Sequence, residues 1–211
     1  MEYSSADPSV IRSIRQRVLL NGWLRALRMP NSPPALIDYD PEAGIDEIAD
    51  MMGFDVEGED EDECVRFRIT QEGSRLTATY GNAHVAPEAR TNRFLDDAIG
   101  PYLYARVVSC YRECVRRKRP IYSITAIKDP DGKDVSYERL LLPFGNGGAV
   151  KHIVGSYKTI SVEGGFKIHN LMGRETTART RLVTAVIDRD VQRRPAGVRA
   201  CHDIVAVDVT T

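Results

Sequence analysis

The segment Asp129-Pro130-Asp131-Gly132-Lys133-Asp134-Val135-Ser136-Tyr137-Glu138-Arg139-Leu140-Leu141-Leu142-Pro143 decides the fold. Pro130 presets the φ of a turn, Asp129 can bond the backbone two residues on, and Gly132 accepts a positive φ. Ahead of this turn, Ile121 to Lys128 is rich in β-branched and aromatic residues, and behind it Val135 to Pro143 reads as a second strand. Gly145-Asn146-Gly147-Gly148 makes the next turn, and Val150 to Ile160 a third strand. Links this short require antiparallel neighbours, so the three strands form a meander.

Working back towards the N-terminus, Pro101 suits the first turn of a helix. Leu103, Val107, Cys110 or Tyr111, and Cys114 follow at helical spacing. The basic cluster Arg116 to Arg119 complements the dipole at the end of this helix, and Pro120 stops it. Order resumes at Arg93 to Ile99 after a loop, Asn82 to Asn92. Gly73 to Gly81 reads as a short helix or an irregular connection. In Val65 to Thr70, apolar Val65, Phe67 and Ile69 alternate with Arg66, Arg68 and Thr70, the period of a half-buried strand. Met51 to Val56 is its partner, and the acidic run Glu57 to Glu63 between them belongs in a solvated hairpin loop. A short helix is expected at Gly44 to Ala49.

Ser9 is placed to cap a leading helix from Val10, whose apolar stripe runs Val10, Ile14, Val18, Leu19, Trp23, Leu24 and Leu27 and stops before Pro30. That stripe needs a cover, either its own domain or a second copy of the chain. Past Gly164 the pattern weakens, with candidate strands only at Arg181 to Ile187 and Ile204 to Val209. The expected organisation is a leading helix and link over 1–36, a core over 37–164 and a C-terminal extension over 165–211. The core is expected to be α+β, a five-stranded antiparallel sheet with its helices on one face.

With 211 residues and a net charge of −1, the chain has no global bias towards nucleic acid or anionic membrane. No run is apolar and long enough to span a bilayer, and the polar start, Met1 to Ser9, does not resemble a signal peptide. The cysteines Cys64, Cys110, Cys114 and Cys201 show no disulfide framework. A cytoplasmic location is expected.

The order of elements, and several local segments, resemble a divergent bacterial group of PAS domains often found as stand-alone proteins. The segments are Trp23-Leu24-Arg25-Ala26-Leu27-Arg28, Phe67-Arg68-Ile69-Thr70, Gly73-Ser74-Arg75-Leu76, Tyr80-Gly81, Tyr111-Arg112-Glu113-Cys114-Val115, Arg119-Pro120 and above all Asp129 to Pro143. The resemblance spans about residues 15 to 160. The acidic hairpin and the long loop Asn82 to Asn92 depart from the group, and the tail has no counterpart in it. The resemblance implies a sensory or regulatory domain that binds a small ligand or a partner protein, dimerises through a flanking helix and catalyses nothing. The alternative is a structural interaction module with a filled core.

For a ligand cavity, the lining candidates are Phe94, Val107, Tyr111, Tyr122, Tyr137 and Leu141, apolar bodies with hydroxyl handles. The same residues serve equally as an ordinary core. For a homodimer, the candidates are Val18, Trp23, Leu24 and Leu27. Arg106 or Arg139 would favour an anionic ligand if turned inward, but both are expected to face solvent.

Haem and flavin find no support. The helix Pro101 to Arg119 lacks a histidine, with His84, His152, His169 and His202 all elsewhere. Cys110 and Cys114 lack the Asn-Cys-Arg context of light-sensing relatives. Their spacing shares one helical face, but no second ligand pair accompanies them, so neither a metal site nor a redox pair is expected. The acidic run lacks calcium-loop spacing, no catalytic motif is present, and Cys201 and His202, as neighbours on a strand, would point to opposite faces.

Overall fold

Asp129 builds the turn as expected, its carboxylate accepting the backbone N–H of Asp131 at 2.8 Å and of Lys133 at 2.9 Å. Gly132 takes φ +83°, a conformation costly for any residue with a Cβ. In the computed structural model, this turn joins the two strands at the middle of a larger sheet. The structure describes residues 3–29, 31–40, 45–58, 65–79, 89, 91–161, 164–167 and 180–188. Most of the acidic hairpin and of the loop Asn82 to Asn92 lies outside these residues, as do Tyr80-Gly81, Cys64, His84, His169, Cys201, His202 and the candidate strand Ile204 to Val209.

The strands are β1 (Ser4–Ala6), β2 (Met51–Glu57), β3 (Arg66–Glu72), β4 (Ile121–Lys128), β5 (Asp134–Asn146), β6 (Ala149–Ile160) and β7 (Thr180–Ile187). The helices are α1 (Ile14–Ala26), α2 (Ile45–Ile48), α3 (Ser74–Thr79) and α4 (Leu95–Arg117), with single 3-10 turns at Pro8–Val10 and Leu36–Asp38. The sheet has seven strands in the order β1-β7-β4-β5-β6-β2-β3. Every pairing is antiparallel except β1 with β7, where Ser4, Ser5 and Ala6 run parallel to Ala185, Val186 and Ile187.

The expected five-stranded antiparallel sheet is therefore corrected to a seven-stranded mixed one. β7 pairs with β4 from Thr180 opposite Ala126 to Val186 opposite Ile121, so β4 is an interior strand rather than an edge. β1 then covers β7. The helices also lie on both faces, not one. α4 packs with Phe54, Phe67, Ile121, Tyr137, Leu141, Ile153 and Tyr157 on one face. α1 packs Leu19, Leu20 and Trp23, with Leu27 just past its end, against Tyr122, Ile124, Leu140, Leu142 and Phe144 on the other. A sheet covered on both sides buries consecutive residues, which is why β5 is buried without a break from Tyr137 to Gly145.

α1 begins later than the apolar stripe suggests. Ser13, not Ser9, caps it by accepting the Gln16 N–H at 3.3 Å, while Asp7 caps the preceding 3-10 turn. Its buried face is consequently Gln16, Leu19, Leu20, Trp23 and Ala26, and Ile14 and Val18 turn outward. The buried Gln16 donates from Nε2 to the Ser156 carbonyl at 3.0 Å, while its Oε1 has no partner among the described residues.

α4 bends at Gly100, with φ +76°, and Pro101 opens the longer second part, as its position predicts. Lys118 closes it in the left-handed conformation, its N–H bonded to the Cys114 and Val115 carbonyls. β5 turns into β6 through Gly147 and Gly148, both at positive φ, the geometry of a two-residue hairpin. The outer edge of β3 is blunted: Ile69 exchanges backbone bonds with Asn92 and Arg93.

Candidate functional site

The site lies between α4 and the middle of the sheet. Strand alternation sends Tyr137, Arg139 and Leu141 of β5 towards α4, and Glu138, Leu140 and Leu142 towards α1. Register then sets the neighbours of Arg139: Ser123 of β4 on one side and Tyr157 of β6 on the other. From α4, Val107, Cys110, Tyr111 and Cys114 descend onto the same patch. The Tyr111 and Tyr157 hydroxyls are 2.7 Å apart, and the Tyr137 and Tyr157 rings 6.0 Å. Tyr111 is braced by Phe54 and Phe67, each ring centroid 5.2 Å away.

Arg139 is the unexpected member. It is only 6% exposed, with its Cζ 5.8 Å from the Tyr111 ring centroid and 5.9 Å from that of Tyr137. Among the described residues its Nε–H has no acceptor. Among the described residues no carboxylate stands against it: the groups acting on its charge are Tyr111, Cys110, Tyr137 and Tyr157. Burial opposes its charge, the electrostatic influence of Tyr111, Cys110, Tyr137 and Tyr157 favours it, and the net shift is upward. The adjacent carboxylate, Glu138, cannot help. It points to the opposite face and accepts from the Tyr122 hydroxyl at 2.9 Å. A buried guanidinium without a counter-ion costs several kcal/mol, so this patch departs from an ordinary filled core.

Of the expected lining residues, Val107, Tyr111, Tyr137 and Leu141 come together here. Tyr122 does not. It is paired with Leu140 and shares that residue's face, in the α1 core, where its hydroxyl also accepts the Arg12 N–H at 3.2 Å. Burial and then Glu138 push the Tyr122 phenol well above its usual range, the Arg12 N–H only partly opposing them, so it remains a donor. Phe94 is also elsewhere, at the entry to α4 with the Arg66 guanidinium stacked 3.6 Å above its ring. Arg106 stays near the surface as expected, over Tyr102. Alternation was the signal for Arg139: with Tyr137 and Leu141 inward, the residue midway between them is inward too.

The expected dimer residues cover their own sheet. Trp23 is 1% exposed and its indole N–H donates to the Pro143 carbonyl at 2.7 Å. Leu27 is buried in the same core and Leu24 packs against it, which leaves Val18 as the one candidate of the four on the surface. Cys110 and Cys114 are buried free thiols, and burial, with Cys110 alongside, pushes Cys114 far above the usual thiol range. Such thiols are inert. His152 sits apart on β6, its Nδ1 2.7 Å from Asp55. Among the described residues, no three His, Cys, Asp or Glu side chains are grouped to hold a metal ion. No helix among them is long and apolar enough to cross a membrane.

No protein-family model matches the chain, and no curated protein matches it in sequence.

Proposed function

We propose that the chain is a PAS-type regulatory module, acting in the cytoplasm, that takes a small molecule between α4 and the sheet and catalyses no reaction. One observation carries the reading: Arg139, a cation with an acceptorless Nε–H, is buried among Tyr111, Tyr137 and Tyr157. A core built only for stability favours apolar residues there. The PAS assignment rests on the resemblance of the local sequence, above all from Asp129 to Pro143.

The signal would leave through a second copy or a partner protein; within the chain, α4, which covers the site, also touches β7 through the Arg181 guanidinium on the Arg106 carbonyl at 3.1 Å. A ligand that repacked α4 would shift the populations of the elements joined to it. Against this stands a module that recruits a protein and holds no ligand. Ile14 at 72%, Met29 at 62% and Ile37 at 94% exposure favour that second reading.

Thermal unfolding across a panel of small anions, cations and uncharged metabolites separates the two. Saturable stabilisation by any member supports the regulatory module. A melting temperature indifferent to the whole panel rejects it in favour of the recruiting module.

A further inference from the structure

Granting that a small molecule enters between α4 and the sheet, we infer that it is a monoanionic carboxylate with a flat apolar body, clamped side-on by Arg139.

The guanidinium offers a carboxylate two parallel N–H donors, and the side-on pair includes Nε. That Nε–H is the donor left without an acceptor among the described residues, inside a residue only 6% exposed. Charge sets the valence. One guanidinium stands in the patch, the neighbouring Glu138 is committed to Tyr122 on the far face, and no described lysine or second arginine joins the Tyr111, Tyr137 and Tyr157 cluster. A single negative charge is matched, whereas a phosphate dianion would bury an uncompensated one. The walls set the body. The Tyr111 and Tyr137 rings flank the guanidinium, and Phe54 and Phe67 extend the aromatic surface behind Tyr111. Apolar walls meeting a single charged anchor suit a carboxylate attached to a ring or short chain.

The test is ligand-dependent melting of the full chain with benzoate, hexanoate, benzamide and inorganic phosphate, on the wild type, Arg139→Met and Arg139→Lys. Benzoate or hexanoate is expected to bind at least tenfold more tightly than benzamide, and phosphate not to compete. Arg139→Met is expected to lose at least tenfold in carboxylate affinity while melting, without ligand, at or above the wild-type temperature, because it removes a buried unpaired charge. Arg139→Lys keeps the charge but not the fork, and is expected to fall between the two. Equal binding of benzamide, tighter binding of phosphate, or undiminished carboxylate affinity in Arg139→Met would each overturn the inference. So would a ligand-free Arg139→Met melting well below the wild type, which would show the guanidinium paired within the fold. Stabilisation by uncharged or cationic compounds but not by carboxylates rejects this inference and leaves the regulatory module standing. Stabilisation by nothing rejects both.

Discussion

Replacing Trp23 by alanine tests whether α1 is part of the fold or a handle for a second copy. The indole is 1% exposed, packed among Leu19, Leu20, Tyr122, Leu140, Leu142 and Phe144, and bonded to the Pro143 carbonyl. Removing a buried ring of this size costs about 3–5 kcal/mol. Trp23→Phe keeps most of the ring and strands the carbonyl, for about 1–3 kcal/mol. Against a domain stability of about 5–15 kcal/mol, the alanine variant loses a large fraction and the phenylalanine variant a smaller one. Urea unfolding followed by far-ultraviolet circular dichroism, at two protein concentrations tenfold apart, reads both losses. If α1 covers its own sheet, the losses appear at either concentration. Because Trp23 is the only tryptophan, wild-type fluorescence should also shift from a buried to an exposed emission in the same transition. An alanine variant that lost under about 1 kcal/mol and sedimented as a smaller species would refute the reasoning.

Two further outcomes follow from the turn and the thiols. The Asp129 carboxyl is held below its ordinary value of 3.8: desolvation pushes it up, but backbone N–H groups of Lys167, Lys133 and Asp131 pull it further down. A depressed folded value contributes stability above the unfolded value and loses it as pH falls through the folded one. Asp129→Asn should therefore cost stability at neutral pH and unfold with a shallower acid dependence below about pH 4, and an unchanged acid limb in a urea series would reject the turn's role. Cys110 and Cys114 should react with a thiol-specific disulfide reagent only at the rate of unfolding, whereas fast labelling of either in native buffer would contradict their burial.

The middle of the sheet was legible because its signals are local. Asp129 to Gly132 dictates a hairpin by turn chemistry alone, and the β4 limits, Ile121 to Lys128, coincide with the expected strand. The edge beyond β4 was not. β1 is three residues, Ser4, Ser5 and Ala6, too short and too polar for any periodicity, and it exists only because β7 offers a partner some 180 positions away. Of the expected dimer residues, Trp23, Leu24 and Leu27 pack in the core between α1 and the sheet. The stripe required a cover from its own domain or from a second copy, and the unbroken apolar run Leu140-Leu141-Leu142 is the signal of a strand buried on both sides, one of which α1 covers. The site was half visible. Val107, Tyr111, Tyr137 and Leu141 fall in one cluster, but the face of Tyr122 follows from its cross-strand register with Leu140, and the inward turn of Arg139 from alternation, against the expectation from its charge.

The central claim is that Arg139 anchors a small anion within the α4 face of the sheet. The most direct measurement is the Nε–H resonance of Arg139 in proton–nitrogen spectra, assigned by its loss in Arg139→Lys. A buried Nε–H without an acceptor should be shielded from exchange in the free protein and move downfield, saturably, as benzoate is added, with no movement for benzamide. A resonance already shifted to the position of a carboxylate-paired arginine, and unmoved by benzoate, would contradict the claim.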